Sequence, residues 1–155
     1  MRTGTRLGID VGKARIGVAR CDPHGMLATP VETVARDHDG TADLARIGAI
    51  ADEYDVMEFV VGLPLNMQGK ATPSTEDARE FAESLARLHP ERSVRLVDER
   101  LSTVTAQAQL HQTGRNTKKS RSVIDQAAAV IILQQALDSE RAQGREPGTP
   151  VTAED

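Results

Sequence analysis

Four carboxylates of this 155-residue chain interrupt or close apolar segments. Asp10 ends the run Arg6-Leu7-Gly8-Ile9-Asp10, Asp98 and Glu99 end a later strand-like run, and Asp125 falls in the first turn of the predicted helix that holds the apolar stretch Ala127 to Leu133. An ionised carboxylate buried without a partner is costly, so each needs a reason to be there. In an open α/β sheet, ligands bind beyond the carboxyl ends of the parallel strands. The first and fifth predicted strands can both end at that edge, with the last helix packed across it. Three carboxylates converging there would repel one another unless a divalent cation neutralised them, and hard oxygen donors suit Mg²⁺ or Mn²⁺. Two such ions about 3.5–4 Å apart would clamp the attacking and leaving oxygens of a phosphodiester, one activating water and the other stabilising the departing 3′ oxygen. No nucleophilic His or Cys is required, and His24, His38, His89 and His111 have no ligand spacing.

Each carboxylate also has a plainer reading. Asp10 could bond the amides of the Gly12 turn, and Asp98 and Glu99 could pair with Arg95 or Arg100. Ser122-Val123-Ile124-Asp125 matches a helix capping box. The metal reading gains its strength from three carboxylates at one edge of one sheet. Two loops could hold a polyanionic substrate there. Thr113 to Arg121 carries Arg115, Lys118, Lys119 and Arg121 with no acidic residue, and Gly62 to Lys70 offers Asn66 and Lys70 after a parallel strand. Lys13 in the first turn and Arg100 beside Glu99 complete the candidate nucleic-acid contacts.

The elements that must position these residues follow from periodicity. Residues 6–10 and 16–21 read as strands joined by a turn too short for a crossover, hence an antiparallel hairpin. A third strand spans Leu27 to Val34, and Pro30 within it marks an edge. Ala42 to Asp52 has helical spacing, Val56 to Gly62 is a dense apolar strand suited to a parallel sheet, and Ser74 to Arg87 is an amphipathic helix capped by Thr72 or Ser74. A strand at Ser93 to Asp98 precedes a helix from about Thr103 to His111. The helix Val123 to Leu137 is apolar nearly all round, which predicts deep burial. The tail from Glu140, rich in Gly, Pro and charge, reads as disordered. The chain is thus predicted to be α/β, with a mixed five-stranded sheet (a three-stranded antiparallel meander plus two parallel strands) flanked by helices. Residues 1–139 form the domain and residues 140–155 the tail. This element order resembles that of the ribonuclease H-like fold.

Composition narrows the classes. Two Phe, one Tyr and no Trp exclude a module that stacks bases on an aromatic sheet. Nineteen Lys and Arg against 23 Asp and Glu give a net charge of −4, so any nucleic-acid contact must be local. One cysteine excludes an intramolecular disulfide and a thiolate metal cage. No apolar run approaches membrane-span length and none forms a signal peptide, which places the chain in the cytosol without a membrane partner. Oligomeric state stays open between monomer and homodimer, with Leu110 or the apolar helix available to a dimer.

Four motifs in order, Leu7-Gly8-Ile9-Asp10-Val11-Gly12 with Arg15-Ile16-Gly17-Val18-Ala19, Val60-Val61-Gly62-Leu63-Pro64-Leu65-Asn66-Met67, Asp98-Glu99-Arg100-Leu101-Ser102-Thr103, and Val123-Ile124-Asp125-Gln126-Ala127-Ala128-Ala129, resemble the YqgF family over residues 5 to 138. This is the family of bacterial pre-16S ribosomal RNA nucleases, also called Holliday-junction-resolvase-like. The resemblance implies a ribonuclease H-like fold and a cytoplasmic, divalent-metal-dependent phosphodiesterase trimming the 5′ end of the small-subunit ribosomal RNA precursor. It also implies Asp10, Glu99 and Asp125 as the acidic triad, with Asp98 an adjacent candidate. The alternatives are a resolvase of four-way DNA and a non-catalytic RNA- or protein-binding module. The phosphate turn of sugar kinases and Hsp70-type ATPases resembles the first hairpin, but the chain is too short for their second lobe.

Overall fold

A computed structural model describes residues 1–99 and 117–152, with the backbone alone for 117–123. The helix expected near Thr103 to His111, and Arg100, Leu110 and Arg115, lie outside the described residues. The opening hairpin is β1 (Arg6–Val11) and β2 (Arg15–Cys21), paired antiparallel with Asp10 opposite Gly17. β3 (Ala28–Ala35) pairs antiparallel with β2 at the sheet edge, where Pro30 costs no ladder bond. β4 (Glu58–Leu63) runs parallel to β1, and β5 (Ser93–Asp98) runs parallel to β4.

The sheet has six strands rather than the expected five, in the order β3-β2-β1-β4-β5-β6. The sixth, β6 (Thr149–Val151), comes from the tail expected to be disordered and pairs antiparallel with β5. Without it, β5 would present a row of unpaired backbone groups. Arg95 reinforces the contact by donating to the carbonyls of Pro147 and Gly148. Composition weighed the Gly and Pro of the tail but could not register the open strand edge that orders it.

Helices cover both faces. α1 (Ala42–Glu53) and α2 (Pro73–Leu88) pack on one side, and α3 (Thr117–Gln143) lies across the other. β4 is buried from Glu58 to Gly62 because its alternate side chains serve both layers. Phe59 and Val61 join Ile47, Ile50, Ala82 and Leu85, while Val60 joins Ala129, Ile132 and Leu133 of α3. α2 is capped by Thr72, whose hydroxyl accepts from the Thr75 amide while Thr75 Oγ1 accepts from the Thr72 amide.

α3 departs from expectation in three ways. It begins at Thr117, so Asp125 sits eight residues inside it and the Ser122–Asp125 capping box does not exist. It continues to Gln143, ending at Gly144, whose positive φ forms the left-handed cap. Its burial is one-sided. Ala128, Ala129, Ile132, Leu133, Ala136 and Leu137 are buried, whereas Ala127, Val130 and Ile131 are only partly so. That stripe follows the 3.6-residue period, and each of its larger side chains contributes about 1.5–3 kcal/mol.

The close seat of α3 on the sheet depends on glycine. A Cβ on Gly17 would lie 1.8 Å from the Asp125 carbonyl oxygen, and one on Gly8 would lie 2.8 Å from that of Ala129. The obstacle in both cases is helix backbone, which cannot rotate aside. Gly17→Ala is expected to destabilise the protein by about 2–3 kcal/mol in urea unfolding and to lift Asp125 away from β1. Unchanged stability would show that the helix can slide at no cost.

Candidate active site

Parallel pairing of β1, β4 and β5 brings the carboxyl ends of β1 and β5 to one edge. Asp10 is the penultimate residue of β1, and Glu99 follows the last residue of β5, its amide donating to the Leu63 carbonyl at 3.4 Å. Cross-strand partners share a face. Asp10, opposite Gly17, therefore faces α3, and Gly17 is where the Asp125 backbone rests. The hairpin, the parallel register and the glycine seat together assemble the acidic residues.

The carboxyls of Asp10 and Glu99 are hydrogen-bonded to one another. Glu99 is 7% exposed. Burial, then the neighbouring Asp10, and more weakly Asp98, push the Glu99 carboxyl up to about 9. Burial also raises Asp10, to about 6, with the Asp125 charge adding to the rise and the bond from Glu99 opposing it. This is the pattern of two carboxyls sharing one proton at neutral pH, with Glu99 donating and Asp10 accepting. Asp98 is exposed, so of the two acids ending β5 it is Glu99 that enters the site.

Asp125 stands close enough to raise Asp10, but its Oδ2 accepts from Arg15 Nε at 2.8 Å. Among the described residues, no three His, Cys, Asp or Glu side chains form one ligand cluster. Asp10 and Glu99 are thus in contact, and Asp125 is beside them but engaged by a cation. Arg15 is the site residue that sequence reasoning overlooked. Its signal was available, since a cation two residues before Gly17 on the same strand must project toward the same face.

The donor set fits a divalent cation. It consists of hard carboxylate oxygens, and Glu99 Oε2 is buried with no hydrogen-bond partner. The missing side chain of Gly62 leaves that oxygen room, because a Cβ there would lie 2.7 Å from it.

The candidate substrate contacts divide. Lys13 and Lys70 are exposed. Asn66 is part of a turn, its Oδ1 accepting from the amides of Gln68 at 3.0 Å and Lys70 at 2.9 Å. Lys118, Lys119 and Arg121 belong to the first two turns of α3 rather than to a loop, about 6–11 Å along the axis from Asp125.

The sequence pattern of the RuvX family, described as Holliday junction resolvase, matches residues 4–139. A protein of Clavibacter michiganensis subsp. michiganensis named "Putative pre-16S rRNA nuclease" is 62% identical over 151 residues, covering 97% of this chain and 93% of that one. A Streptomyces coelicolor protein of the same name is 55% identical, covering 97% and 90%. Among solved structures, Thermus thermophilus RuvC is similar with a TM-score of 0.54 at 15% identity, covering 95% of this chain and 99% of that one. The same protein in complex with a Holliday junction substrate is similar with a TM-score of 0.55 at 16% identity, covering 96% and 99%. These structures establish the shared ribonuclease H-like fold. By its motifs, its strand order and relatives more than half identical along almost its whole length, the chain belongs to the RuvX family of nucleases.

Proposed function

We propose that the protein hydrolyses phosphodiester bonds of precursor 16S ribosomal RNA, at its 5′ end, in the cytoplasm, using Mg²⁺ or Mn²⁺ held by Asp10 and Glu99 with Asp125. The observation that carries this reading is the Asp10–Glu99 pair at the joint end of β1 and β5. These are two mostly buried carboxyls held against one another, one of them with an orphaned oxygen. A buried acidic pair of this kind is a poor way to stabilise a fold, and it is what a cation site requires. When bound, the divalent ion supplies an activated water and charge stabilisation at the scissile phosphate.

The chain's own residues prepare for this. Glu99 must be ionised to hold the cation, and its place just beyond β5, with its amide bonded to the Leu63 carbonyl, brings its carboxyl to that of Asp10. Lys13, Lys70, Arg100, Arg115, Lys118, Lys119 and Arg121 supply the local positive charge that the net charge of −4 lacks. RNA is favoured over branched DNA because relatives 58–62% identical to this chain carry the ribosomal RNA name. Among the described residues no helix is long and apolar enough to cross a membrane.

The test is a cleavage assay on precursor 16S RNA and on a four-way DNA junction, with Mg²⁺, Mn²⁺ or chelator and with Asp10→Asn protein as the blank. RNA cleavage that needs the metal and Asp10 is expected. Junction cleavage alone would reassign the substrate. Binding of RNA with no cleavage under any metal would make the protein a non-catalytic module.

A further inference from the structure

Arg15 Nε donates to Asp125 Oδ2 at 2.8 Å, so an arginine engages the third candidate ligand. Both partners are fixed by backbone and not merely by side-chain preference. Arg15 opens β2, and its carbonyl accepts from the Gly12 amide at 2.8 Å, closing the turn that follows Asp10. A Cβ on Gly12 would lie 2.6 Å from that carbonyl. Asp125 is fixed by the seat of α3 on Gly17, and the neighbouring Gln126 donates to Thr33 Oγ1 at 2.9 Å, which sets the helix register on β3. Arg15 and Gly17 point to the same face of β2, so the guanidinium rises beside the helix exactly one pleat from the aspartate's own support. The pair is neither buried nor free, with side-chain exposures of 37% for Arg15 and 17% for Asp125.

We propose that Arg15 is a positioning residue that neutralises Asp125 in the metal-free protein and must release it before the cation is fully coordinated, so that Arg15 sets the metal concentration at which the site loads. This rests on the nuclease reading above. With Asp125 answered by the Arg15 guanidinium, the acidic cluster carries one unbalanced negative charge fewer. The incoming cation competes with the guanidinium for the Asp125 carboxylate. An ion pair this exposed is weak enough to be exchanged.

The experiment measures binding of Mn²⁺ alone by isothermal titration calorimetry at pH 7.5, without nucleic acid. The proteins are wild type, Arg15→Gln, Arg15→Lys, Asp125→Asn, the double variant Arg15→Gln/Asp125→Asn, and Asp10→Asn. Circular dichroism confirms that each is folded. Arg15→Gln is expected to bind Mn²⁺ about tenfold more tightly than wild type, and Arg15→Lys, which keeps the competing charge, should stay within about threefold of wild type. In the Asp125→Asn background the Arg15→Gln change should have no effect, because the carboxylate through which Arg15 acts is gone.

Three results would overturn the proposal. These are equal or weaker Mn²⁺ binding by Arg15→Gln, tightening of the same size in the Asp125→Asn background, and Arg15→Lys binding as tightly as Arg15→Gln. If wild type shows no saturable Mn²⁺ binding that Asp10→Asn abolishes, the metal-site reading itself fails and takes this proposal with it, an outcome distinct from the other three.

Discussion

Asp10→Asn protein is expected to lose metal-dependent cleavage by about 10³-fold or more, while its metal-free form melts about 3–6 °C above wild type. The loss follows from removing a charged ligand that contributes several kcal/mol to transition-state stabilisation, at 1.36 kcal/mol per factor of ten in rate. The gain has a separate origin. Asp10 is held against Glu99 and near Asp125, and burial raises both carboxyls, Asp10 to about 6 and Glu99 to about 9. An amide at position 10 keeps an acceptor for the Glu99 proton and removes the like-charge contact. A relief of about 1–2 kcal/mol corresponds to that shift in melting for a chain of this size.

The sign of the accompanying pH dependence is fixed by the direction of these shifts. Both groups bind protons more tightly folded than unfolded, so their contribution is complete at low pH and disappears as pH rises. For Asp10 the window runs from 3.8 to about 6, and for Glu99 from 4.5 to about 9. Metal-free wild type should therefore lose stability steadily between pH 5 and pH 9, and Glu99→Gln should flatten the upper half of that slope. Thermal melts in chelator at pH 5, 7 and 9 decide the matter. A lower melting temperature for Asp10→Asn, or an unaltered slope for Glu99→Gln, would contradict the shared-proton description.

Glu140→Ala is expected to destabilise the fold by about 3–5 kcal/mol with the active-site chemistry intact. The end of the sheet opposite the acidic site holds a compact ionic network. Arg2 donates to both oxygens of Glu58 at 3.0 and 2.9 Å, and to Glu140 through Nε at 3.1 Å and Nη2 at 2.9 Å. Arg6 Nη2 donates to Glu140 Oε2 at 3.1 Å, and Ser93 Oγ donates to Glu58 at 2.8 Å. Arg6 is 1% exposed, Glu58 1% and Glu140 3%. Truncating Glu140 strands the Arg6 guanidinium in the interior, which costs far more than loss of an exposed pair.

Burial by itself would raise the Glu140 carboxyl, but hydrogen bonds from Arg2 and the charges of Arg2 and Arg6 hold it down at about 2. Its contribution is thus present above 4.5 and lost as pH falls toward 2, a trend opposite to that of the Asp10–Glu99 pair. Urea unfolding at pH 7 measures the first effect, and acid titration of wild type against Glu140→Gln measures the second. A loss below about 1 kcal/mol for Glu140→Ala would mean that Arg6 finds another partner or reaches water.

The network also explains why α3 runs past Leu137. The buried stripe 128–129, 132–133 and 136–137 reaches its next position at Glu140, so the helix must continue to deliver that carboxylate to Arg6. Composition alone read residue 140 as the start of a disordered tail, because charge and glycine content are local properties whereas the arginines it meets are 134 and 138 residues away.

The hairpin, the two parallel strands, the amphipathic α2 and the three acids were legible in the chain itself. Their signals, period-two and period-3.6 burial and carboxylates at the ends of apolar runs, are carried by neighbours in sequence. The sixth strand, the true start of α3 and the Glu140 network became visible only in three dimensions, as did the pairing of Arg15 with Asp125, although the face that Arg15 takes was readable from its strand. Three of these depend on a partner distant in sequence: an open edge on β5, two N-terminal arginines and an aspartate on the last helix. Local pattern places acids at one rim of a sheet. Which of them share a proton, and which is answered by an arginine, depends on burial and distance, and those are properties of the folded chain.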